Sequence, residues 1–115
     1  MKVIDLYTEL NALGIKFEPI GYVKAPAYPY GIYVDDIEVR QPDTDIGARI
    51  IVHTITIELY HPALADLETS SKLVDNWINA YALNYRKQPR FIIDEDHYCM
   101  TYTLQYSTKE RNENT

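Results

Sequence analysis

The stretch of sequence that decides the fold is Tyr98-Cys99-Met100-Thr101-Tyr102-Thr103-Leu104-Gln105-Tyr106. Successive side chains of a β-strand point to opposite faces of the sheet, so this stretch has two different sides. One side is apolar and can cover a core: Tyr98, Met100, Tyr102, Leu104 and Tyr106. The other side is uncharged and rich in threonine: Cys99, Thr101, Thr103 and Gln105. The second side suits a face that a partner or solvent covers, which is a clue to assembly.

A second long strand is predicted from Arg49 to Tyr60, where β-branched residues are dense. Its apolar side holds Ile51, Ile55, Ile57 and Leu59. Its other side holds Ile50, Val52, Thr54, Thr56, Glu58 and Tyr60. If the two long strands pair, their threonines share one face of the sheet.

Helical spacing of apolar residues predicts two helices. The first, of about three turns, is marked by Leu6, Leu10 and Leu13, with Val3 one turn earlier and Gly14 as the C-terminal cap. The second runs from Ala63 to about Tyr85, with apolar residues at positions 64, 67, 74, 78 and 81 on one face. Gln88 and Pro89 are expected to end that region.

The shorter predicted strands are Ile15 to Val23, Tyr30 to Glu38 and Phe91 to Ile93. The predicted irregular segments are an extended connection from Lys24 to Tyr30, a loop from Val39 to Ala48 and a turn at Asp94 to Asp96. Grouped strands with few helices predict an α+β fold, an antiparallel sheet with two helices packed on one face. The predicted core is Tyr98, Met100, Tyr102, Leu104, Ile55, Ile57, Leu67, Val74 and Ile78. We expect one domain over residues 1–111 and a flexible polar segment at 112–115.

Composition excludes several classes of function. The net charge is −6, and the nearest thing to a basic cluster is Arg86, Lys87 and Arg90, so a static nucleic-acid binder is disfavoured. An acidic surface is compatible with DNA that slides past without binding. A single cysteine rules out an intramolecular disulfide. Asp5 stands where a signal peptide needs an apolar run, and we predict a cytosolic product without a membrane segment.

Candidate chemistry is sparse. His97 and Cys99 lie on the same side of the last strand, but a structural zinc site needs four ligands. The acidic runs at 35–38 and 94–96 are typical of solvated strand ends and turns. Acids just upstream of Cys99 would raise the pKa of its thiol, so we interpret this residue as a small filler. We predict no catalytic residue, no metal and no cofactor. A small-molecule or peptide-binding module remains an alternative, with a tyrosine-lined cleft near Tyr28, Tyr30 and Tyr33.

Three segments, in this order of elements, carry a family resemblance. They are Ala25-Pro26-Ala27-Tyr28-Pro29-Tyr30-Gly31-Ile32-Tyr33, then Ile55-Thr56-Ile57-Glu58-Leu59-Tyr60 before the long helix, and Glu95-Asp96-His97-Tyr98-Cys99-Met100-Thr101-Tyr102-Thr103-Leu104 at the end. With the amphipathic N-terminal helix, they make the chain resemble the tail-completion or tail-terminator proteins of long-tailed bacteriophages and prophages, a group of minor tail and head–tail joining proteins. The short acidic segment at 43–47 departs from that pattern.

The resemblance implies a structural virion protein that forms a ring, commonly a hexamer, after assembly in the cytoplasm of a host bacterium. Such a ring ends the tail tube and joins it to the head connector, and DNA passes through its lumen without specific binding. No catalytic residue belongs to that role. The residues expected at a subunit or partner interface are Thr54, Thr56, Thr101, Thr103, Asp43, Asp45 and Arg49.

Overall fold

The structure is a computed structural model that describes residues 2–19, 27–40 and 48–111. Its elements in chain order are α1 (Leu6–Asn11), β1 (Lys16–Pro19), β2 (Tyr30–Arg40), β3 (Ala48–His61), α2 (Leu64–Ala80), β4 (Tyr85–Ile92), a 3₁₀ turn (Ile93–Glu95) and β5 (His97–Arg111). None of the helices in these ranges has the length and apolar character needed to cross a membrane.

The strands form a five-stranded sheet in the order β1-β2-β3-β5-β4. This α+β architecture confirms the predicted fold class. The sheet is mixed, however, because β1 runs parallel to β2 while every other neighbouring pair is antiparallel. Alternating apolar residues predict that a strand exists and which face it buries, but they carry no information on its direction.

The core lies between one face of the sheet and both helices. On β3 and β5 the register sets Ile55 opposite Leu104 and Ile57 opposite Tyr102. The predicted core is confirmed: Met100, Tyr102, Leu104, Ile55, Ile57, Leu67, Val74 and Ile78 are buried, and Tyr98 is partly buried against them. Burial of such side chains stabilises the fold by roughly 1.5–3 kcal/mol each.

Both helices are shorter than predicted. The side chain of Asp5 accepts a hydrogen bond from the Thr8 amide and caps α1, so Val3 lies outside the helix and is exposed. After α2 the chain turns sharply at Ala82, whose φ of 57° is left-handed and ends the helix. Tyr85, expected at the end of this helix, instead begins β4.

Strands β2, β4 and β5 are longer than predicted. Gln88 and Pro89 were expected to mark the end of the helical region, but both lie inside β4. A proline is tolerated there because β4 is the last strand of the sheet, and its outer edge needs no donor. Val39 and Arg40, predicted as loop, belong to β2. The rest of the predicted loop at 41–47, positions 20–23 of the predicted strand and the segment 112–115 lie outside the described residues.

Candidate functional site

The face of the sheet turned away from the helices is called the open face. At its centre the two long strands set Thr56 opposite Thr103 and Thr54 opposite Gln105. The Gln105 side-chain amide donates a hydrogen bond to the Thr54 hydroxyl over 2.9 Å. These residues, with Thr101, form a patch of uncharged side chains that we call the threonine band, bordered by Glu58 opposite Thr101 and by Arg86 opposite Thr103. Alternation along two strands places its members together, as the sequence predicted.

Strand β4 forms a rim beside the threonine band. Arg86, Lys87 and Gln88 enclose with Thr101 and Thr103 a depression of about 390 Å³. A second depression of about 300 Å³ continues from it over Thr54, Asn84, Tyr85, Arg86, Thr103, Leu104 and Gln105. Both are open, and the first is lined mainly by polar groups. The floor of the first depression is uncharged threonine and its β4 rim carries Arg86 and Lys87, so this open, polar surface is suited to protein contact rather than to enclosing a small ligand.

The structure does not bring every predicted interface residue to the threonine band. Arg49 is exposed at the start of β3. Because side chains alternate along a strand, it lies on the same face as Ile51 and His53, which is the face turned toward the helices and not the open face. Asp43 and Asp45 lie outside the described residues. The contact role of all these positions stays a prediction.

A small aromatic cluster, separate from the main core, covers one end of the open face. The rings of Tyr30 and Tyr60 stack with their centres 5.1 Å apart, and Cys99 is fully buried beside them. Burial raises the pKa of the Cys99 thiol, and the neighbouring Glu58 carboxylate raises it further. Because the thiol stays protonated at neutral pH, the interpretation of Cys99 as a buried filler is confirmed by its environment.

His97 lies at the edge of this cluster and is buried. Its Nδ1 is 2.9 Å from the Tyr28 hydroxyl oxygen, and its Nε2 is 2.9 Å from a Glu95 carboxylate oxygen. Nε2 makes no hydrogen bond, so the Glu95 carboxylate lies near this nitrogen without being aligned to accept from it. In the ranges that the structure describes, no three side chains of His, Cys, Asp or Glu are grouped to hold a metal ion.

The predicted cleft between Tyr28, Tyr30 and Tyr33 is wrong. Tyr30 belongs to the aromatic cluster on the open face, whereas Tyr33 packs in the core under the helices. The two residues are three positions apart in one strand, so their side chains point to opposite faces. Tyr28 and Tyr30 stack with their ring centres 5.4 Å apart, but Tyr33 cannot line a common site with them.

One polar arrangement was missed by the sequence reasoning. His53 is buried, its Nδ1 lies 2.9 Å from the Asp35 carboxylate, and its ring stacks on Tyr106 with centres 4.5 Å apart. His53 and Asp35 are far apart in sequence, but alternation puts both on the helix side of neighbouring strands. The sequence indicates only that His53 and Asp35 lie on the same face of their strands. It does not show which residue contacts which.

Comparison with known proteins gives the fold but no family. No protein-family model matches the chain, and no curated protein matches it. Among solved structures, it is similar to a chain in the virion of a native gene transfer agent particle. The TM-score is 0.61 at 16% sequence identity, and the match covers 87% of this chain and 84% of the other. The two chains share a fold.

Proposed function

We propose that this chain is a structural protein of a phage-like virion, which assembles as a ring at the end of the tail tube, ends the tube and joins it to the head connector. The observation that carries the proposal is the fold shared with a gene transfer agent virion chain over 87% of the residues. The sequence resemblance to tail-completion proteins supports the same position in the particle.

The threonine band supports a role in assembly. An uncharged surface with Thr56 and Thr103 at its centre can be covered by another protein without removing charges from water. The net charge of −6 suits a ring whose lumen DNA crosses without binding. Assembly in the cytoplasm of a host bacterium and location in the finished virion follow from this proposal.

Inactivation of the gene in the phage or prophage that encodes it tests this function. We expect electron micrographs to show tails that are overlong or that lack heads, because nothing ends the tube or joins it. The wild-type gene supplied in trans restores joined particles. Tails of normal length attached to filled heads in the inactivated strain would contradict the proposal.

Complementation with a variant of the open face tests which surface acts. Thr103 is exposed, so a Thr103→Lys variant is expected to fold and to fail in complementation, because its charge would be buried against the partner. Thr69→Lys is the matched control, since Thr69 is exposed on α2, on the far side of the sheet. Equal complementation by the two variants would exclude the threonine band as the contact surface.

A further inference from the structure

The two depressions of the open face join into one groove that runs along β4 and β5. Both are lined by Arg86 and Thr103, and the first extends toward Thr101 while the second extends toward Gln105. An extended strand rises by about 13 Å over the distance from Thr101 to Gln105, which is also the length of about four residues of a further extended chain. We call this surface the β4 groove.

The lining of the β4 groove can form hydrogen bonds with the main chain of a peptide. Its uncharged polar side chains belong to Asn84, Gln88, Thr101, Thr103 and Gln105. Hydroxyl and amide side chains both donate and accept hydrogen bonds. A helix already satisfies its own main-chain groups, so an extended segment gains more from this lining. Thr103→Lys would put a longer side chain in the middle of the groove, in agreement with the expected failure of that variant in complementation.

Arg86 is the charge that this groove leaves unpaired. The other cationic residue that lines it, Lys87, is 2.8 Å from the Asp75 carboxylate on α2. Arg86 is exposed and has no ion-pair partner among the residues that the structure describes. None of the described residues that line the groove is acidic. A carboxylate that enters the groove therefore meets an arginine that is free to pair, and a guanidinium can bind both carboxylate oxygens.

We propose that the β4 groove binds an extended acidic segment of another virion protein, with a carboxylate of that segment paired to Arg86. This inference rests on the proposed function, because it names the chemistry of the partner that the threonine band would contact. Charge complementarity favours a protein segment over DNA, since one unpaired arginine suits a few carboxylates whereas the net charge of −6 repels a continuous phosphate backbone. Because the groove is open to water, salt screens the ion pair, and binding should weaken as salt concentration rises.

A peptide titration of the purified full chain tests this groove. The probe is the peptide Glu-Thr-Glu-Thr-Glu with blocked ends, and its binding is followed at low salt by the NMR shifts of the protein amides. We expect the largest shifts at Arg86, Gln88, Thr101 and Thr103. Arg86→Glu is expected to raise the dissociation constant at least about tenfold, because it sets like charges against each other. The peptide Lys-Thr-Lys-Thr-Lys should show the reverse order and bind the Arg86→Glu variant more tightly than the wild type.

Lys72→Glu is the matched control for these titrations. It makes the same change of charge on the exposed surface of α2, so it should leave both titrations unchanged. No shift along the groove at the highest peptide concentration, or equal weakening by Arg86→Glu and Lys72→Glu, would overturn the proposal. A short DNA duplex that shifts the same amides at a lower concentration than the peptide would overturn it in favour of a phosphate backbone. Shifts that grow with protein concentration alone would assign the groove to a second copy instead.

Suppressors of Arg86→Glu test whether another protein supplies the carboxylate. We expect this variant to fail in complementation of the inactivated gene. Second-site mutations that restore joined particles should replace an aspartate or glutamate by lysine or arginine in the gene of another virion protein. Normal complementation by Arg86→Glu, or suppressors confined to the gene of this chain, would overturn the assignment to a second protein.

The outcome is separable from the proposed function. If gene inactivation gives unjoined tails while the acidic peptide does not bind, the groove proposal is wrong and the virion role stands. If peptide binding depends on Arg86 while gene inactivation has no effect on tails, the groove stands as a site for acidic segments and the virion role is wrong.

Discussion

At the scale of the residue, tyrosine is the side chain that most distinguishes this molecule. The chain has 11 tyrosines, and the pKa of seven of them is raised: Tyr30, Tyr33, Tyr60, Tyr81, Tyr85, Tyr102 and Tyr106. Burial is the largest cause for all of these except Tyr81. There the hydrogen bond to Glu9 is the main cause, and it raises the pKa to about 12.

These shifts predict that the fold is lost in alkali. An unfolded tyrosine releases its proton near pH ~10, whereas the folded protein keeps these protons to higher pH. Above that pH the unfolded state binds fewer protons than the folded state, so the free energy of unfolding falls as pH rises. We expect phenolate absorbance to rise in two phases, the second coinciding with loss of circular dichroism. A single phase near the ordinary pKa with unchanged circular dichroism would contradict this account.

For a single residue, the sequence predicted only the face of the sheet on which its side chain lies. Alternation correctly separated Met100, Tyr102 and Leu104 from the threonines. It could not identify the carboxylate of Glu9 as the acceptor for the Trp77 indole at 3.0 Å, because that contact depends on how α1 docks against α2. Polar partners distant in sequence are fixed by packing, which a single sequence does not record.

At the scale of the element, the sequence predicted which helices and strands exist, but it did not predict where they end or in which direction the strands run. The predicted extent of α2 was wrong beyond Ala80 because nothing in the sequence marks Ala82 as left-handed. The helical region was expected to end at Gln88 and Pro89, but both residues lie inside β4, where the edge position removes the usual penalty for proline. The parallel direction of β1 was likewise unpredictable. In this part of the core, β1 approaches β2 closely, and the Phe17 ring packs against Gly31.

Replacement of Gly31 tests the docking of β1 on β2. A Cβ at position 31 would lie 2.2 Å from Cε1 of Phe17, whose ring is fully buried in the core. We expect Gly31→Ala to lower the free energy of unfolding by about 1–3 kcal/mol in urea titrations, because the ring or strand must shift.

A double-mutant cycle separates this clash from other effects of the substitution. In a Phe17→Leu background the loss caused by Gly31→Ala should be smaller, because the ring atoms that clash are absent. Gly14→Ala is the comparison, since no atom lies within 4 Å and its cost comes only from a φ of +90°. An equal loss from Gly31→Ala in both backgrounds would show that the Phe17 ring is not the cause.

At the scale of the whole molecule, the protein is elongated, with extents of 53 × 29 × 23 Å, and its sheet has two chemically different faces. The helices cover one face, and the threonine band occupies the centre of the other. The sequence predicted these two faces because apolar residues alternate with threonines along both β3 and β5. It did not predict which strands form the edges, so only the strand order shows that the basic strand β4 lies at the periphery of the sheet.

The central claim is that the chain acts by its position in a virion, and localisation in purified particles tests it most directly. Particles carrying an epitope-tagged copy of the chain are labelled with antibody-coated gold and imaged by electron microscopy. The account predicts gold at one place on each particle, where the tail meets the head, and the same label at one end of tails that lack heads. Particles without gold, or gold spread along the tube, would contradict it.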